Sequence, residues 1–345
     1  MTKTAHILLP DRHPNRDFFI CDILDAVPKD DMASMEHPIF SLSTKPDTRI
    51  RQYENNGNSI QIAPSVLGLA TIHDKDILIY CISQLMTKLN KGEQPNRTIR
   101  LKAHDLLVAT NRQTSGRGYK LLRDAFERLA GTRITTDITT NGEQEVSGFG
   151  LVDAWRITVK DQKTLRMVEI EVMLSHWMYN SVLGNEVLTI SKDYFRLRKP
   201  LERRVYEIAR KHCGQQCEWA IALPTLQKKC GSSGDLREFR RMVRTLVKHD
   251  HLPDYHVTMN SEDTVQFRRR GKVKQHGYDA EFPILRPDTY EAARKAAPNY
   301  DVYVLEQDWR GFWIDSGKPH IANPDAAFVG FCKRRYQRNT NLQLR

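Results

Sequence analysis

The chain has 345 residues, 40% of them hydrophobic and 28% charged, and a formal net charge of +11. This composition allows two or three globular domains and excludes a chain that is disordered throughout. No apolar run approaches the ~20 residues of a membrane span, and the first residues lack the pattern of a secretory signal. We therefore expect a cytoplasmic protein with free thiols and no membrane partner.

The positive charge is not evenly spread along the chain. Residues 194–274 contain 19 Lys and Arg against 9 Asp and Glu, a surplus of +10, whereas the residues before them sum to zero. Such a concentration is typical of a module that binds a polyanion, because neutralised phosphates release counterions whatever the base sequence. Nucleic acid is therefore the first partner to consider.

Residues 1–73 contain six prolines that interrupt any long period, and they are predicted to form an extended arm with a short lead-in strand. Hydrophobic periodicity then predicts a helix, a strand, a helix, a polar turn and a helix at 74–92, 99–101, 104–109, 111–118 and 115–129. After Gly131 the period changes to two. This predicts an antiparallel ribbon of runs at 133–139, 155–159 and 168–172, with a turn at Asn141-Gly142.

The same order of elements then recurs, with patterns at 200–212, 219–223, 224–230, 231–234 and 235–249 and a hairpin at 256–259 and 265–268. Aligning Tyr80 with Tyr206 and Phe126 with Leu246 gives offsets of 126 and 120 residues, as in a duplicated unit. Helix, strand, helix, turn, helix and hairpin is the order of a winged helix. We predict an α+β fold with tandem winged-helix domains and a small C-terminal helical domain, at 74–180, 181–275 and 276–345.

The helix predicted at 235–249 is the best candidate for reading DNA. Opposite its apolar positions, cations recur at i, i+4, i+7 and i+11, and one more stands beside them: Arg237, Arg241, Arg244, Lys248 and Arg240. Such a face fits the major groove, where arginine can bond bidentately to guanine and other cations hold phosphates. A solvated face is the alternative. Asp235 and Glu238 are the only local counter-charges, so we favour DNA contact.

Two further groups of cations are candidate DNA contacts. The matching helix of the first repeat is diluted by Asp124 and Glu127, but it carries Arg117, Lys120, Arg123 and Arg128. The polar turn before it can reach phosphates. A basic run after the second hairpin suits a wing or linker along the DNA backbone, with a solubility patch as the alternative. Its members are Arg268, Arg269, Arg270, Lys272 and Lys274.

We find no catalytic motif in the sequence. Residues 311–319 miss the phosphate-loop pattern by one residue, residues 249–251 lack the apolar residue of a nickase motif, and no acidic cluster suggests a two-metal site. A zinc site is a weaker alternative to buried thiols, because no second close pair completes Cys213, Cys217 and Cys230. We predict neither enzymatic activity nor a cofactor or metal.

From residue 281 onward the composition becomes aromatic, within three short helical patterns of which the last opens at Asn323-Pro324-Asp325. Aromatic rings among basic residues can stack single-stranded bases or dock a partner. We favour the alternative, a small helical core with a basic exterior.

The chain resembles the plasmid replication initiator protein A family, bacterial initiators of theta-type replication, in three strings: YFRLRKPLERRVYEIARKHCG at 194–214, FPILRPDTYEAAR at 282–294 and NPDAAFVGFCKR at 323–334. The resemblance covers about residues 36–335. It implies tandem winged helices that bind repeated origin sequences, open the adjacent duplex and help recruit the host replication machinery without catalysis. The helix at 235–249 becomes the main reader of the repeat, and residues 117–128 become the second contact.

The implied partners are double-stranded origin DNA, single-stranded DNA and a host initiator or helicase, and the implied state is a monomer–dimer equilibrium. Two other classes of function stay open. One is a winged-helix transcriptional repressor, or autoregulator, with an appended helical domain. The other is a DNA-processing enzyme, which would nick supercoiled origin DNA in a metal-dependent way.

Overall fold

A computed structural model describes residues 8–13, 29–31, 37–55, 58–90, 93–136, 147–161, 166–184, 187–213, 217–270, 283, 285–297, 302–316, 321 and 323–342. They form a mixed α/β structure of two compact units. The larger unit comprises 1–182 and 187–270, and the smaller one comprises 183–186 and 271–345.

The elements up to residue 189 are, in chain order, β1 (Lys29–Asp31), β2 (Arg51–Asn55), β3 (Asn58–Ala63), α1 (Lys75–Asn90), β4 (Thr98–Lys102), α2 (Ala103–Ala109), α3 (Gly116–Gly131), β5 (Arg133–Thr136), β6 (Ser147–Gly150), β7 (Val152–Asp161), β8 (Arg166–Leu174), α4 (His176–Leu183) and β9 (Val187–Thr189). A 3₁₀ turn at Lys192–Arg196 is followed by α5 (Pro200–Cys213), β10 (Glu218–Ala222), α6 (Leu223–Cys230), α7 (Leu236–His249), β11 (Tyr255–Met259) and β12 (Thr264–Arg269).

The larger unit contains the same topology twice. The first copy runs α1, β4, α2, α3, β7, β8, with β5 and β6 inserted between α3 and β7, and forms a sheet of order β4-β8-β7. The second runs α5, β10, α6, α7, β11, β12 and forms a sheet of order β10-β12-β11. In each copy the strand after the first helix pairs with the last strand of the hairpin. The predicted duplication of elements is therefore confirmed.

The antiparallel ribbon predicted at 133–139, 155–159 and 168–172 was wrong in the pairing of its first strand. β7 and β8 do pair with each other, but β5 pairs with β3 and β6 in a separate sheet of order β2-β3-β5-β6. In this sheet Ile134 lies opposite Ile62, and both are buried. A period of two indicates a strand but not its partner, so the sequence pattern could not exclude this arrangement. The Asn141-Gly142 turn lies outside the described residues.

The segment from residue 37 to residue 73 differs from the expected arm. It supplies β2 and β3, and its apolar side chains lie in the core of the larger unit: Ile39, Phe40, Ile60, Ile62, Leu69, Ala70 and Ile72. Backbone hydrogen bonds link Ser41 to Ala70 and Ile72. The predicted domain boundaries near residues 73 and 180 both fall within the larger unit and stay predictions.

A buried ionic cluster connects the first helices of the two copies. The Lys75 Nζ lies 3.0 Å from the Glu207 Oε2, and the Arg203 Nη1 lies 2.5 Å from the Asp76 Oδ1. Arg204 contacts Glu207 at 3.2 Å. All five side chains are at most 3% exposed.

Among its described residues, the smaller unit contains helices α8 (Pro287–Ala296), α9 (Val302–Asp315) and α10 (Pro324–Leu342). These confirm the three helical patterns predicted at this end of the chain. Aromatic and small side chains form its core, as favoured from the sequence: Ala293, Ala297, Val302, Leu305, Trp309, Phe328 and Cys332. Phe312, which is 59% exposed, lies outside that core.

Candidate nucleic-acid interface

Helix α7 is fixed at both ends and along one side. Asp235 caps its start, where the side chain accepts a hydrogen bond from the Arg237 backbone N–H at 3.1 Å. Its C-cap residue, Asp250, has a φ of 42°, and its carboxylate accepts a hydrogen bond from the Val257 N–H of β11. The buried side is made by Phe239, Val243 and Leu246.

The opposite side of α7 carries four exposed cations, which we call the cationic face: Arg237, Arg241, Arg244 and Lys248. They recur at the helical repeat and so follow the length of the helix. Arg241 donates two hydrogen bonds to Glu238, at 2.8 and 2.5 Å, and these side chains are 69% and 52% exposed. An exposed pair of this kind is weak, so a phosphate can compete with Glu238 for the guanidinium.

Arg240, also predicted to contact DNA, is partly exposed but is held by the hairpin. Its guanidinium donates to both carboxylate oxygens of Asp263, at 2.6 to 3.0 Å, in the turn between β11 and β12. This hydrogen bonding by Arg240 holds the pKa of Asp263 below its usual range. Arg240 therefore serves to fix the hairpin against α7.

The three arginines at the end of the hairpin have different surroundings, and Lys272 and Lys274 lie outside the described residues. Arg268 is 68% exposed and lies 3.6 Å from Glu218, and Arg269 is half-buried. Arg270 donates to the backbone oxygens of Leu252 and Tyr255, both at 2.9 Å, and forms an ion pair with Asp250. These contacts hold the end of β12 beside the end of α7.

Helix α3 presents a second basic surface. Its buried side follows helical spacing, and three of its four predicted contacts are exposed: Arg117, Lys120 and Arg123. Leu121 is 51% exposed among them. Arg128 instead donates to both oxygens of Asp74, at 2.7 and 2.8 Å, so the basic part of the exposed surface lies in the first half of the helix.

The turn before α3 touches the helix at Gly118. A Cβ atom at this position would lie 1.9 Å from the Gln113 carbonyl oxygen, closer than any real contact. We expect Gly118→Ala to lower the free energy of unfolding by about 1–3 kcal/mol, because the turn must move. Urea denaturation measures this loss. Gly116→Ala is the control, since its added Cβ meets nothing within 4 Å, and equal stabilities of the two variants would contradict the contact.

Sequence reasoning missed three cations beside α7. Arg49, Arg51 and Lys199 line a cleft together with Arg241 of the cationic face. Arg49 and Arg51 follow Lys45 in the string KPDTRIR at 45–51. This basic string is a signal that could have been read, but the segment was predicted to be part of an extended arm.

Other kinds of site receive less support. In the part of the chain that the structure describes, no group of three His, Cys, Asp or Glu residues is placed to hold a metal ion. Cys213 and Cys230 are buried, which raises the pKa of their thiols to about 11 and 12, whereas Cys217 is exposed. No helix among the described residues is both long and apolar enough to cross a membrane.

Comparisons with known proteins agree on one family. The model of the family described as Replication initiator protein A matches residues 29–257. A protein of Wigglesworthia glossinidia brevipalpis, described as "Putative replication protein", is 40% identical over 259 residues, which are 74% of this chain and 94% of that one.

The structure is also similar to a crystal structure of domains 2 and 3 of RctB, with a TM-score of 0.52 over 69% of this chain and 96% of that chain. At 13% identity this likeness concerns the fold alone. The family match covers the first copy of the repeated topology and the second copy as far as β11, and the resemblance inferred from the sequence is confirmed. The chain belongs to the replication initiator protein A family, whose members initiate DNA replication.

Proposed function

We propose that this initiator binds repeated sequences at a plasmid origin and that α7 enters the major groove of each repeat. The observation that carries the proposal is the cationic face, four exposed cations on a helix whose other side is fixed in the core. Arginine in the major groove can read guanine, and the remaining cations can hold phosphates.

The two copies of the topology are proposed to be tandem winged helices. In this interpretation α7 is the recognition helix of the second and β11–β12 is its wing, which Arg240 holds through Asp263. Arg268 and Arg269 would then lie along the DNA backbone. Helix α3 would be the recognition helix of the first, with Arg117, Lys120 and Arg123 at a second contact about one turn of DNA away.

The mechanism is proposed to be one of binding energy rather than catalysis. Copies of the protein on an array of repeats would bend the DNA and strain neighbouring A·T-rich sequence, where pyrimidine–purine steps are easily unstacked. The opened strands would be available to the host initiator or helicase. A monomer–dimer equilibrium would set how many copies engage the array.

Charge reversal at one position of the cationic face tests the proposal. We expect Arg244→Glu to weaken binding to origin DNA by at least ~1–3 kcal/mol, because a contact is replaced by repulsion of the DNA. The measurement is a gel-shift titration on a fragment carrying the repeats that footprinting finds in the DNA flanking the gene.

The matched control is Arg156→Glu on β7. Arg156 is 75% exposed and lies 3.0 Å from Glu171, on the face of β7 opposite Trp155, which stacks on Phe126 of α3. We expect its variant to bind like the unmodified protein. Equal affinities of all three proteins would contradict the role of α7.

A further inference from the structure

A cleft of about 480 Å³ runs along one flank of α7. Met242 and Thr245 line it from the helix, whereas Arg240 reaches the hairpin turn. Because successive helical residues are rotated by about 100°, these two positions lie on the side of α7 away from Arg240. The helix therefore has the hairpin on one flank and the cleft on the other.

The far wall of the cleft comes from the segment at 42–51 and from the start of α5. The exposed cations of this wall are Arg49 at 69% and Lys199 at 56%, and α7 adds Arg241 at 69%. With Arg51, four cations face two carboxylates, Asp47 and Glu202, which are 4% and 5% exposed. The open part of the cleft is therefore positively charged.

Asp47 holds the two arginines in place. Its Oδ1 accepts a hydrogen bond from the Arg49 Nε at 3.1 Å, and its Oδ2 accepts one from the Arg51 Nη2 at 2.6 Å. The hydrogen bonds from Arg49 contribute most to holding the pKa of Asp47 well below its usual range, so the carboxylate stays charged. An arginine positioned in this way loses less conformational freedom when it binds an anion.

Arg51 supplies a second indication of an anion. Its Nη1 is buried and has no hydrogen-bond partner among the described residues. A buried donor without an acceptor costs about 1–3 kcal/mol. An oxygen atom bound in the cleft could satisfy it after a small movement of the side chain.

The turn at 231–234 closes the cleft next to the start of α7. Ser233 and Gly234 are exposed, and a Cβ added to Gly234 would meet nothing within 4 Å. Small residues at this turn leave room for a chain to approach closely.

We propose that this cleft, which we call the Arg49 cleft, binds the sugar–phosphate backbone of the DNA duplex whose major groove receives α7. The inference rests on the proposed function and extends it. Arg241 belongs both to the cleft and to the cationic face, so the two surfaces are continuous. The duplex is thus held on both flanks of the recognition helix, by the hairpin on one side and by the Arg49 cleft on the other.

The salt dependence of binding tests this assignment. Each phosphate contact contributes about 0.9 to the slope of log affinity against log salt concentration. We expect Arg49→Gln to reduce that slope by about 0.9, so that its affinity relative to the unmodified protein changes roughly 3.5-fold between 50 and 200 mM salt. Sequence preference should not change, because a phosphate carries no base information.

Arg100→Gln is the matched control, since Arg100 is 74% exposed and also pairs with a carboxylate, Glu171, at 3.0 Å. It should leave the slope unchanged. In ethylation interference, one or two phosphates at one edge of the site should no longer matter for binding by Arg49→Gln. The control variant should give the same pattern of interference as the unmodified protein.

The outcomes separate the cleft from the function of α7. An unchanged slope in Arg49→Gln, together with weaker binding by Arg244→Glu, would overturn the assignment of the cleft and leave the proposed function standing. Unchanged binding by both variants would overturn both. Normal DNA binding by Arg49→Gln with loss of binding to a host replication protein would overturn the assignment and give the cleft to an acidic protein segment.

Discussion

Replacement of Glu207 by alanine is expected to lower the free energy of unfolding of the larger unit by about 3–5 kcal/mol. The side chain is fully buried, and its carboxylate lies 3.0 Å from the Lys75 Nζ and 3.2 Å from the Arg204 Nη1. It also accepts a hydrogen bond from the Tyr194 hydroxyl at 2.6 Å. Alanine would leave the buried ammonium of Lys75 without its carboxylate, and the desolvation cost of that charge would no longer be offset.

Urea denaturation followed by tryptophan fluorescence measures this effect. Glu171→Ala is the control, because Glu171 also contacts two cations, Arg100 and Arg156, but these are about three-quarters exposed. Its loss should be below about 1 kcal/mol. Similar stabilities of the two variants would show that the burial of the ionic cluster does not increase its contribution to the free energy of unfolding.

A double variant separates the charge from the shape of the site. Lys75→Met combined with Glu207→Gln removes both charges of the Lys75–Glu207 pair and keeps an oxygen acceptor for Tyr194 and Arg204. We expect it to recover most of the stability lost in Glu207→Ala, because replacing a buried pair by neutral groups of similar size is often close to neutral.

The ionic cluster also joins the two copies of the repeated topology. Lys75 and Asp76 belong to the first helix of one copy of the topology, and Arg203, Arg204 and Glu207 belong to the first helix of the other. Buried ion pairs have strict geometry, so these contacts fix the two copies, and with them α3 and α7, in one register. A long direct repeat can be read by two helices only if their separation is constant.

Much of the second copy could be predicted from the sequence because its signals are local. Asp235 caps α7, the apolar residues Phe239, Val243 and Leu246 recur at helical spacing, and the cations occupy the other face. Cap, core and surface all agree on the same helix, and its described bounds differ from the prediction by one residue at its start.

What the sequence could not show depends on partners that are distant along the chain. The partner of Arg240 is Asp263, 23 residues later, and Arg270 contacts backbone oxygens 15 and 18 residues earlier. Nothing in the local pattern distinguishes these arginines from Arg244. The core residues at 37–72 were missed for the same reason, because they are scattered among prolines and pack against elements distant along the chain, such as β5.

The structure thus divides the predicted DNA contacts into exposed side chains and side chains held by other residues. The exposed cations of α7 and α3 are available to a ligand, whereas Arg240 and Arg270 hold the hairpin in a fixed position next to α7. Preorganised elements on both flanks of a recognition helix reduce the conformational entropy lost on binding. Most of the affinity is then expected to depend on the cationic face itself.

Neutralising the whole cationic face should therefore abolish recognition of the origin. In a variant with Gln at 237, 241, 244 and 248, each substitution is expected to weaken DNA binding by about 1–3 kcal/mol. The four together weaken it by about 4–12 kcal/mol. Specific binding by DNA-binding proteins exceeds their non-specific binding by about 4–10 kcal/mol. The variant should hold origin repeats no more tightly than unrelated DNA, and a small circle carrying its gene and the flanking DNA should fail to replicate.

A control variant removes the same charge elsewhere, with Gln in place of four cations on and beside the β4-β8-β7 sheet: Arg97, Arg100, Lys102 and Arg156. It has the same net charge as the first variant, so a general loss of attraction to DNA would affect both equally. We expect the control to keep its preference for the repeats and to support replication. Equal losses of affinity in the two variants would mean that the net charge of the protein, and not the geometry of α7, determines its affinity for the origin.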